Sequence, residues 1–119
     1  MQFKHFEFGA IDIDGVIYEH DLVVDRGEVH RRKKKASKKF RETFGHTPLS
    51  VEENIPWKCT CLVIGTGAYG RLPVMDDVKT EAKRRKVAVV LLPTAEAIEQ
   101  LKDHPGDANA ILHVDRPAQ

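Results

Sequence analysis

The glycine-rich segment from Gly65 to Gly70 has the clearest chemical meaning in the sequence. It matches the pattern G-x-G-x-x-G and comes directly after an apolar, strand-like run. Glycines at these positions let backbone amides approach an anion closely, and a helix N-terminus that follows helps to hold the charge. Arg71 adds a permanent cation with a fork suited to carboxylate or phosphate. The predicted ligand-binding residues are therefore Gly65, Thr66, Gly67, Tyr69, Gly70 and Arg71.

This segment departs from a dinucleotide-binding turn in three respects. Pro73 and the charge pattern place the helix start several residues after Gly70, and the preceding strands look antiparallel. The second strand ends in Leu92-Pro93-Thr94, which has no acid to hold a ribose. We therefore predict no cofactor, and the functional hypothesis is a small anionic ligand. A tight turn whose glycines only let strand and helix pack is the structural alternative.

A dense basic stretch lies between Arg26 and Arg41. It contains nine basic residues and one acid, a net charge of +8, whereas the remainder carries ten basic and seventeen acidic groups, a net charge of −7. Such charge fits nucleic acid, an acidic protein partner, or a solvated edge strand guarded by lysine. Aromatic interleaving is poor, which disfavours nucleic acid. The predicted partner surface consists of Arg31, Arg32, Lys33, Lys34, Lys35, Lys38 and Lys39.

The sequence offers no set of catalytic or metal-ligating residues. Its six histidines lack metal-ligand spacing, and Cys59-Thr60-Cys61 has no second cluster to complete a site. His20-Asp21 and His113-Val114-Asp115 have the form of general-base pairs, but no nucleophile can be tied to either. We therefore interpret these histidines as surface or core-edge residues and predict no catalytic residue and no metal.

Length and composition indicate one globular domain over residues 1–119. Apolar residues make up 41% and charged residues 31% of the 119 residues, and the net charge is +1. The longest apolar run, Val87 to Leu92, is too short to span a membrane, and no signal peptide is evident. With only two cysteines and no disulfide framework, the sequence predicts a cytoplasmic protein.

The first third of the chain predicts antiparallel β-structure. Asp14-Gly15 is a strong hairpin signal, after which Val16 to Tyr18 returns as a strand. Leu22 to Val24 and Val29 to Arg31 continue a meander of three or four strands. In the middle, the four-residue spacing of Ala36, Phe40 and Phe44 indicates a short helix that ends at Gly45, and the capping-box pattern from Ser50 to Glu53 predicts one or two helical turns.

The second half predicts a β-α-β-α-β unit. Parallel strands are expected at 61–65, 87–92 and 108–114, joined by helices near 75–86 and 94–103. The run Val87 to Leu92 is apolar throughout, which is typical of a strand covered on both faces. The predicted fold class is thus α/β with α+β character at the N-terminus. An antiparallel β-meander packs on a C-terminal βαβαβ parallel-sheet layer.

Several segments together resemble the Mth-domain family. They are Phe8-Gly9, Asp14-Gly15-Val16-Ile17-Tyr18, Asp21-Leu22, Cys61-Leu62-Val63-Ile64-Gly65-Thr66-Gly67, Leu72-Pro73, Pro93-Thr94-Ala95-Glu96-Ala97 and Ala110-Ile111-Leu112-His113. This family comprises small archaeal and bacterial proteins of unknown activity, adipogenesis-associated domain proteins and a mitochondrial complex I assembly factor. The resemblance implies a β-meander packed with a β/α layer and no established catalytic residues. Family members often close with His-x-Thr-Cys, whereas this chain reads His113-Val114-Asp115-Arg116.

These observations favour a non-catalytic accessory, assembly or regulatory protein that binds a protein partner. The first alternative is a protein or enzyme that binds a small anion at the turn from Gly65 to Arg71. The second is a weak nucleic-acid binder that uses the basic stretch 31–41. No membrane association is predicted.

Overall fold

The computed structural model describes residues 3–7, 9–103 and 108–115, which form two β-sheets flanked by short helices. The strands are β1 (Phe3–Glu7), β2 (Ala10–Ile13), β3 (Val16–Tyr18), β4 (Leu22–Asp25), β5 (Glu28–Arg31), β6 (Cys61–Gly65), β7 (Ala88–Leu92) and β8 (Ala108–Leu112). The helices are a 3₁₀ helix (Lys35–Phe40), α1 (Arg41–Phe44), α2 (Asp76–Arg84) and α3 (Thr94–Asp103). Phe8 and Arg116, which figure in the sequence resemblance, lie outside the described residues.

Two tight hairpins shape the N-terminal third. Asp14 and Gly15 connect β2 to β3, and Arg26 and Gly27 connect β4 to β5. All four residues have positive φ angles, between 49° and 85°. Positive φ at both central positions matches the right-handed twist of the flanking strands. The predicted turn at Asp14-Gly15 is confirmed, and the second turn joins the strands predicted at Leu22 to Val24 and Val29 to Arg31.

The predicted meander is divided between the two sheets. Strands β1, β2 and β3 form a three-stranded sheet, whereas β4 and β5 belong to a five-stranded sheet of order β5-β4-β8-β6-β7. Strand β4 runs antiparallel to β8, with Leu22 opposite Leu112 and Val24 opposite Ala110. Leu22 and Val24 are buried, so pairing on both edges of β4 suits their apolar side chains. Local hairpin signals could not reveal this change of sheet.

The parallel half of the larger sheet confirms the predicted β-α-β-α-β unit. Strand β6 pairs in parallel with β7 on one side and with β8 on the other. The interpretation of Val87 to Leu92 as covered on both faces is confirmed only in part. Helices α2 and α3 both contact β7, but β7 is an edge strand of the described sheet, and Ala88 and Leu91 are exposed. Strand β7 is therefore apolar throughout although it lies at the edge of the larger sheet, beside the buried strand β6. With this correction the α/β fold class is confirmed.

The middle of the chain contains one predicted helix and lacks another. The 3₁₀ helix leads into α1, and Gly45 ends α1 in the left-handed conformation with φ of 77°. The segment from Ser50 to Glu53 forms only a turn, in which the Glu53 amide donates to the Ser50 carbonyl. The Glu53 carboxylate is buried elsewhere, so it does not complete the capping box.

The five-stranded sheet separates two apolar clusters. On one face, Val63, Ala110 and Leu112 pack with Ile11 of the small sheet and Ile98 of α3. On the other face, Leu62, Ile64 and Ile111 pack with Val78 of α2 and Leu49 of the preceding segment. Within the part of the chain described, no helix is long and apolar enough to cross a membrane.

Gly65 at the end of β6 provides a test of this packing. A Cβ at Gly65 would lie 2.9 Å from Thr94 Oγ1 and 3.1 Å from the Thr94 Cα. We expect Gly65→Ala to lower the free energy of unfolding by about 1–3 kcal/mol, measured by urea denaturation. The control Gly27→Ala meets nothing within 4 Å but has a φ of 83°, so backbone strain of about 1–2 kcal/mol is its whole cost. A Gly65→Ala protein as stable as the wild type would contradict the packing account.

Candidate functional site

The basic stretch lies on the end of β5 and on the 3₁₀ helix. Arg31, Lys33, Lys35, Lys38 and Lys39 are exposed, and Lys34 is half-buried. The Lys39 ammonium lies 2.6 Å from the Glu52 carboxylate. A positively charged surface therefore follows this short segment.

Arg32 does not belong to that surface, so its place in the predicted partner surface needs correction. Its side chain is 2% exposed and reaches three partners. The guanidinium donates to both Glu53 oxygens at 2.8 Å, to Asp21 Oδ2 at 2.8 Å and to the Pro48 carbonyl at 2.9 Å. A planar fork with several donors can serve such a set, whereas a lysine could not. Arg32 is thus an internal ion in a cationic run.

Two serines hydrogen-bond to the buried ionic cluster, which consists of Arg32, Asp21 and Glu53. Ser37 of the 3₁₀ helix donates to Glu53 Oε2 at 2.5 Å, and the Ser50 hydroxyl lies 2.6 Å from that of Ser37. Since Ser37 uses its proton on Glu53, Ser50 donates to Ser37. Both serines are fully buried. The 3₁₀ helix that carries the outward lysines is therefore tied to the interior through Ser37.

The cluster shifts the pKa values of its members. Burial alone would raise the pKa of Asp21, but the hydrogen bond and charge of His113, the Val114 amide and the Arg32 guanidinium together lower it to about 2. Burial alone would lower the pKa of Arg32, and the carboxylates of Glu53 and Asp21 raise it instead. Asp21 and Arg32 are therefore both ionised throughout the physiological range.

Asp21 also connects the cluster to the C-terminal end of β8. The ladder that pairs Leu22 with Leu112 brings Asp21 opposite His113. His113 Nδ1 lies 3.0 Å from the Asp21 carboxylate, and the Val114 amide donates to Asp21 Oδ1 at 2.8 Å. His113 Nε2 lies 3.5 Å from Asp115 Oδ1. His113 is therefore placed between two carboxylates, of which only Asp115 is its neighbour in sequence.

The glycine-rich turn contacts Asp115, the outer of the two carboxylates beside His113. The Ala68 amide donates to Asp115 Oδ2 at 2.5 Å, and a Cβ at Gly67 would lie 2.9 Å from both oxygens of that carboxylate. The Gly67 amide donates to Thr94 Oγ1, while the Thr66 amide donates to the Leu92 carbonyl. The predicted anion-facing amides of Thr66, Gly67 and Ala68 thus have acceptors within the protein.

The outer part of the turn is open to solvent. Tyr69 is 71% exposed, and the Arg71 guanidinium carbon lies 5.5 Å from the centroid of its ring. Gly70 is exposed as well, whereas Gly65, Thr66 and Gly67 are buried. The six residues predicted to bind a ligand therefore divide into a buried part and an exposed part.

A groove lies beside the basic stretch on the larger sheet. Its volume is about 280 Å³. Val23 and Ile111 line it together with Ile55 and Pro56, and the charged or polar lining residues are Asp25, His30, Arg31, Arg32, Lys33, Glu53 and Asn54. A shallow depression of about 560 Å³ adjoins it and is lined by Lys33, Lys35, Ala36, Lys39, Glu52, Glu53 and Asn54. The two share Lys33, Glu53 and Asn54 and therefore adjoin one another; together they are called the cationic groove below.

Sequence reasoning missed the acids that organise these sites. In the sequence, Asp21 and Asp115 stand out only as neighbours of histidines, and Glu53 only as half of a capping box. The contact of Asp21 with His113 follows from the antiparallel pairing of β4 with β8, so a prediction of that strand pairing would have found it. No local pattern marks Glu53, because its partner Arg32 lies within a run of solvated cations.

The remaining predicted chemistry can be placed as well. His20 Nδ1 lies 3.2 Å from the Asp21 backbone carbonyl, away from the carboxylate. Cys59 and Cys61 are half-buried free thiols, and burial raises the pKa of each. Among the described residues, no group of three or more His, Cys, Asp or Glu side chains is placed to hold a metal ion.

Truncating Arg32 tests the ionic cluster. Because Arg32→Ala leaves Asp21 and Glu53 buried without their cation, we expect a loss of about 3–5 kcal/mol in the free energy of unfolding, measured by urea denaturation. Arg31→Ala is the matched control: its side chain is exposed, so we expect a change within about 0.5 kcal/mol. Equal effects of the two changes would show that Arg32 does not act as an internal ion.

The pKa of Asp21 predicts an acid-sensitive contribution to stability. A folded-state value of about 2 against an ordinary value of 3.8 contributes about 2 kcal/mol. The native state binds this proton less readily than the unfolded state, so the contribution is complete above about pH 4 and is lost as the pH falls through about 2. Urea denaturation of the wild type and Asp21→Asn between pH 2 and 6 should show a difference that shrinks in this window. A difference independent of pH would contradict it.

Comparisons with known proteins identify the family and agree with the observed fold. The family model described as "Protein of unknown function (DUF498/DUF598)" matches residues 3–102. The conserved hypothetical protein PH1505 from Pyrococcus horikoshii OT3 is 28% identical with a TM-score of 0.82, covering 98% of this chain and 100% of that chain. The protein MT938 is 27% identical with a TM-score of 0.67, covering 96% of this chain and 97% of that chain.

One further solved structure shares the fold alone. A Bordetella pertussis protein, described as a Mth938-like domain, is 16% identical with a TM-score of 0.62, covering 97% of this chain and 87% of that chain. No curated protein matches. The family match over residues 3–102 confirms the resemblance found in the sequence. The chain therefore belongs to the DUF498/DUF598 family of proteins of unknown function and has an Mth938-like fold.

Proposed function

We propose that this protein is a non-catalytic binding module that holds an acidic segment of a protein partner in the cationic groove. The observation that carries this proposal is the combination of an apolar floor with a basic rim. Val23, Ile55, Pro56 and Ile111 provide the floor. The rim carries basic side chains that include Arg31, Lys33, Lys35 and Lys39.

The charge balance of the groove favours an anionic occupant. The three acids that line it are already paired: Asp25 with Arg26 at 3.2 Å, Glu52 with Lys39 at 2.6 Å and Glu53 with Arg32 at 2.8 Å. Within the described part of the chain, Arg31 and Lys33 have no ion-pair partner. An occupant with carboxylates near an apolar side chain would satisfy both the rim and the floor.

The open form of the groove favours a peptide over a metabolite. A cavity of about 280 Å³ adjoins a shallow depression of about 560 Å³, whereas small-molecule sites usually bury most of their ligand. The cavity accommodates one or two side chains of an extended segment whose remainder runs over the adjoining depression. Lys35 and Lys39 are presented by a short helix tied to the interior at Ser37, so little ordering of these two residues is required on binding.

Nucleic acid fits the same surface less well. Phe40 is half-buried under Lys39, whose ammonium is 5.4 Å from the ring centroid. The described residues that line the groove include no Phe, Tyr or Trp on which a base could stack. An apolar floor also adds nothing to binding of a phosphate backbone. We propose a cytoplasmic setting, which the two free thiols Cys59 and Cys61 support.

Charge reversal tests the groove. The double variant Lys33→Glu, Lys35→Glu should weaken binding of a leucine-containing polyglutamate peptide by about tenfold, because like charges then face the ligand. Fluorescence anisotropy gives the affinity, and chemical-shift mapping should locate the peptide at Val23, His30 and Ile55. The matched control Lys79→Glu, Lys83→Glu makes the same change in net charge on α2 and should leave the affinity within about twofold.

Two results would overturn the proposal. The first is equal weakening by the control, which would mean that net charge alone attracts the peptide. The second is duplex DNA binding that is tighter than peptide binding at about 150 mM salt, since a purely electrostatic complex should largely dissociate there. That second result would favour the nucleic-acid function.

A further inference from the structure

The glycine-rich turn and Asp115 together form a carboxylate-binding arrangement within the protein. The Ala68 amide donates to Asp115 Oδ2 at 2.5 Å, and His113 Nε2 lies 3.5 Å from Asp115 Oδ1. Both Asp115 oxygens approach so closely that a side chain at Gly67 would collide with them at 2.9 Å. The backbone at Gly67 therefore admits an oxyanion to a position that any other residue would close.

The surroundings of Asp115 suit an anion more generally. His113 Nδ1 lies 3.0 Å from the Asp21 carboxylate, which leaves Nε2 on the side of Asp115, 3.5 Å from Oδ1. Arg71 lies in the same turn with its guanidinium over the Tyr69 ring and exposed to solvent. The amide and the imidazole thus lie at the end of the sheet where the parallel strands β6 and β8 both end, and Arg71 belongs to the turn that follows β6.

Asp115 is placed to leave this position. It follows β8 by three residues, and its side chain is 11% exposed. Among the described residues, its carboxylate oxygens contact Ala68 and His113. Asp21 has three partners, Arg32, His113 and Val114, and is 8% exposed. Among the described residues, Asp115 is therefore held by fewer contacts than Asp21.

We propose that the turn from Gly65 to Arg71 is an oxyanion-binding site for which Asp115 is a tethered internal ligand, and that an external phosphate or carboxylate binds by displacing it. The Ala68 amide and the His113 imidazole then contact the external group in place of Asp115. Arg71 is an exposed cation in the same turn, where an external anion can reach it. This site is separate from the cationic groove, so the two proposals stand or fall independently.

A pair of substitutions at Asp115 distinguishes displacement from a general change in charge. Asp115→Ala empties the position, and we expect inorganic phosphate or acetate to bind about tenfold more tightly than to the wild type. Asp115→Asn removes the same charge but leaves an oxygen that can accept from Ala68, so its gain should be much smaller. Asp103→Ala is the control for loss of an exposed carboxylate on α3 and should leave the affinity unchanged.

Chemical-shift titration with phosphate and, separately, acetate gives both the affinity and the location. The proposal requires the amides of Gly67 and Ala68 to respond most strongly in Asp115→Ala, and the tighter of the two anions identifies the class of external ligand. Equal gains in Asp115→Ala and Asp115→Asn would overturn it, as would no response to either anion. If Asp115→Ala does not fold, restoration of folding by phosphate supports the proposal, and failure at every phosphate concentration overturns it.

Discussion

The burial of one guanidinium group holds the irregular segment before β6 against the larger sheet. Arg32 is a permanent cation in the interior, and the cost of its desolvation demands anions with good geometry. Asp21 precedes β4, and Glu53 and Pro48 belong to the irregular segment before β6. A segment with little regular structure thus receives a defined position because its acid and its carbonyl must reach this cation.

The ionic cluster contributes position more than stability. Buried ion pairs return little of their desolvation cost, and apolar residues of similar volume often serve equally well. Apolar contacts, however, would leave the 3₁₀ helix free to adopt several orientations. The hydrogen bonds from Ser37 to Glu53 and between the two serine hydroxyls fix its direction and therefore fix which lysines face solvent. We infer that the interior polar groups determine the arrangement of the exposed ones.

Much of the fold was predictable because its signals are local. The hairpin at Asp14-Gly15 follows from the φ angles that those residues tolerate, and the strand-helix-strand unit follows from apolar runs between charged helices. The environment of Arg32 was not predictable, since within a run of cations its side chain carries no mark that separates it from Arg31. The acceptor for the Ala68 amide was equally hidden. Asp115 lies far from it in sequence, and only the parallel pairing of β6 with β8 brings the two together.

The two margins of the larger sheet differ in a way that bears on solubility at high concentration. Strand β5 contains Glu28, His30 and Arg31, whose charge or polarity discourages pairing with another molecule. Strand β7 reads Ala-Val-Val-Leu-Leu without a charge and is an edge among the described strands. Lys83, Arg84, Arg85 and Lys86 come just before it and act as gatekeepers against intermolecular β-pairing. Neutralising Lys83 and Lys86 alone, which leaves the ion pairs of Arg84 and Arg85 with Glu81 in place, should therefore lower the concentration at which the protein begins to aggregate.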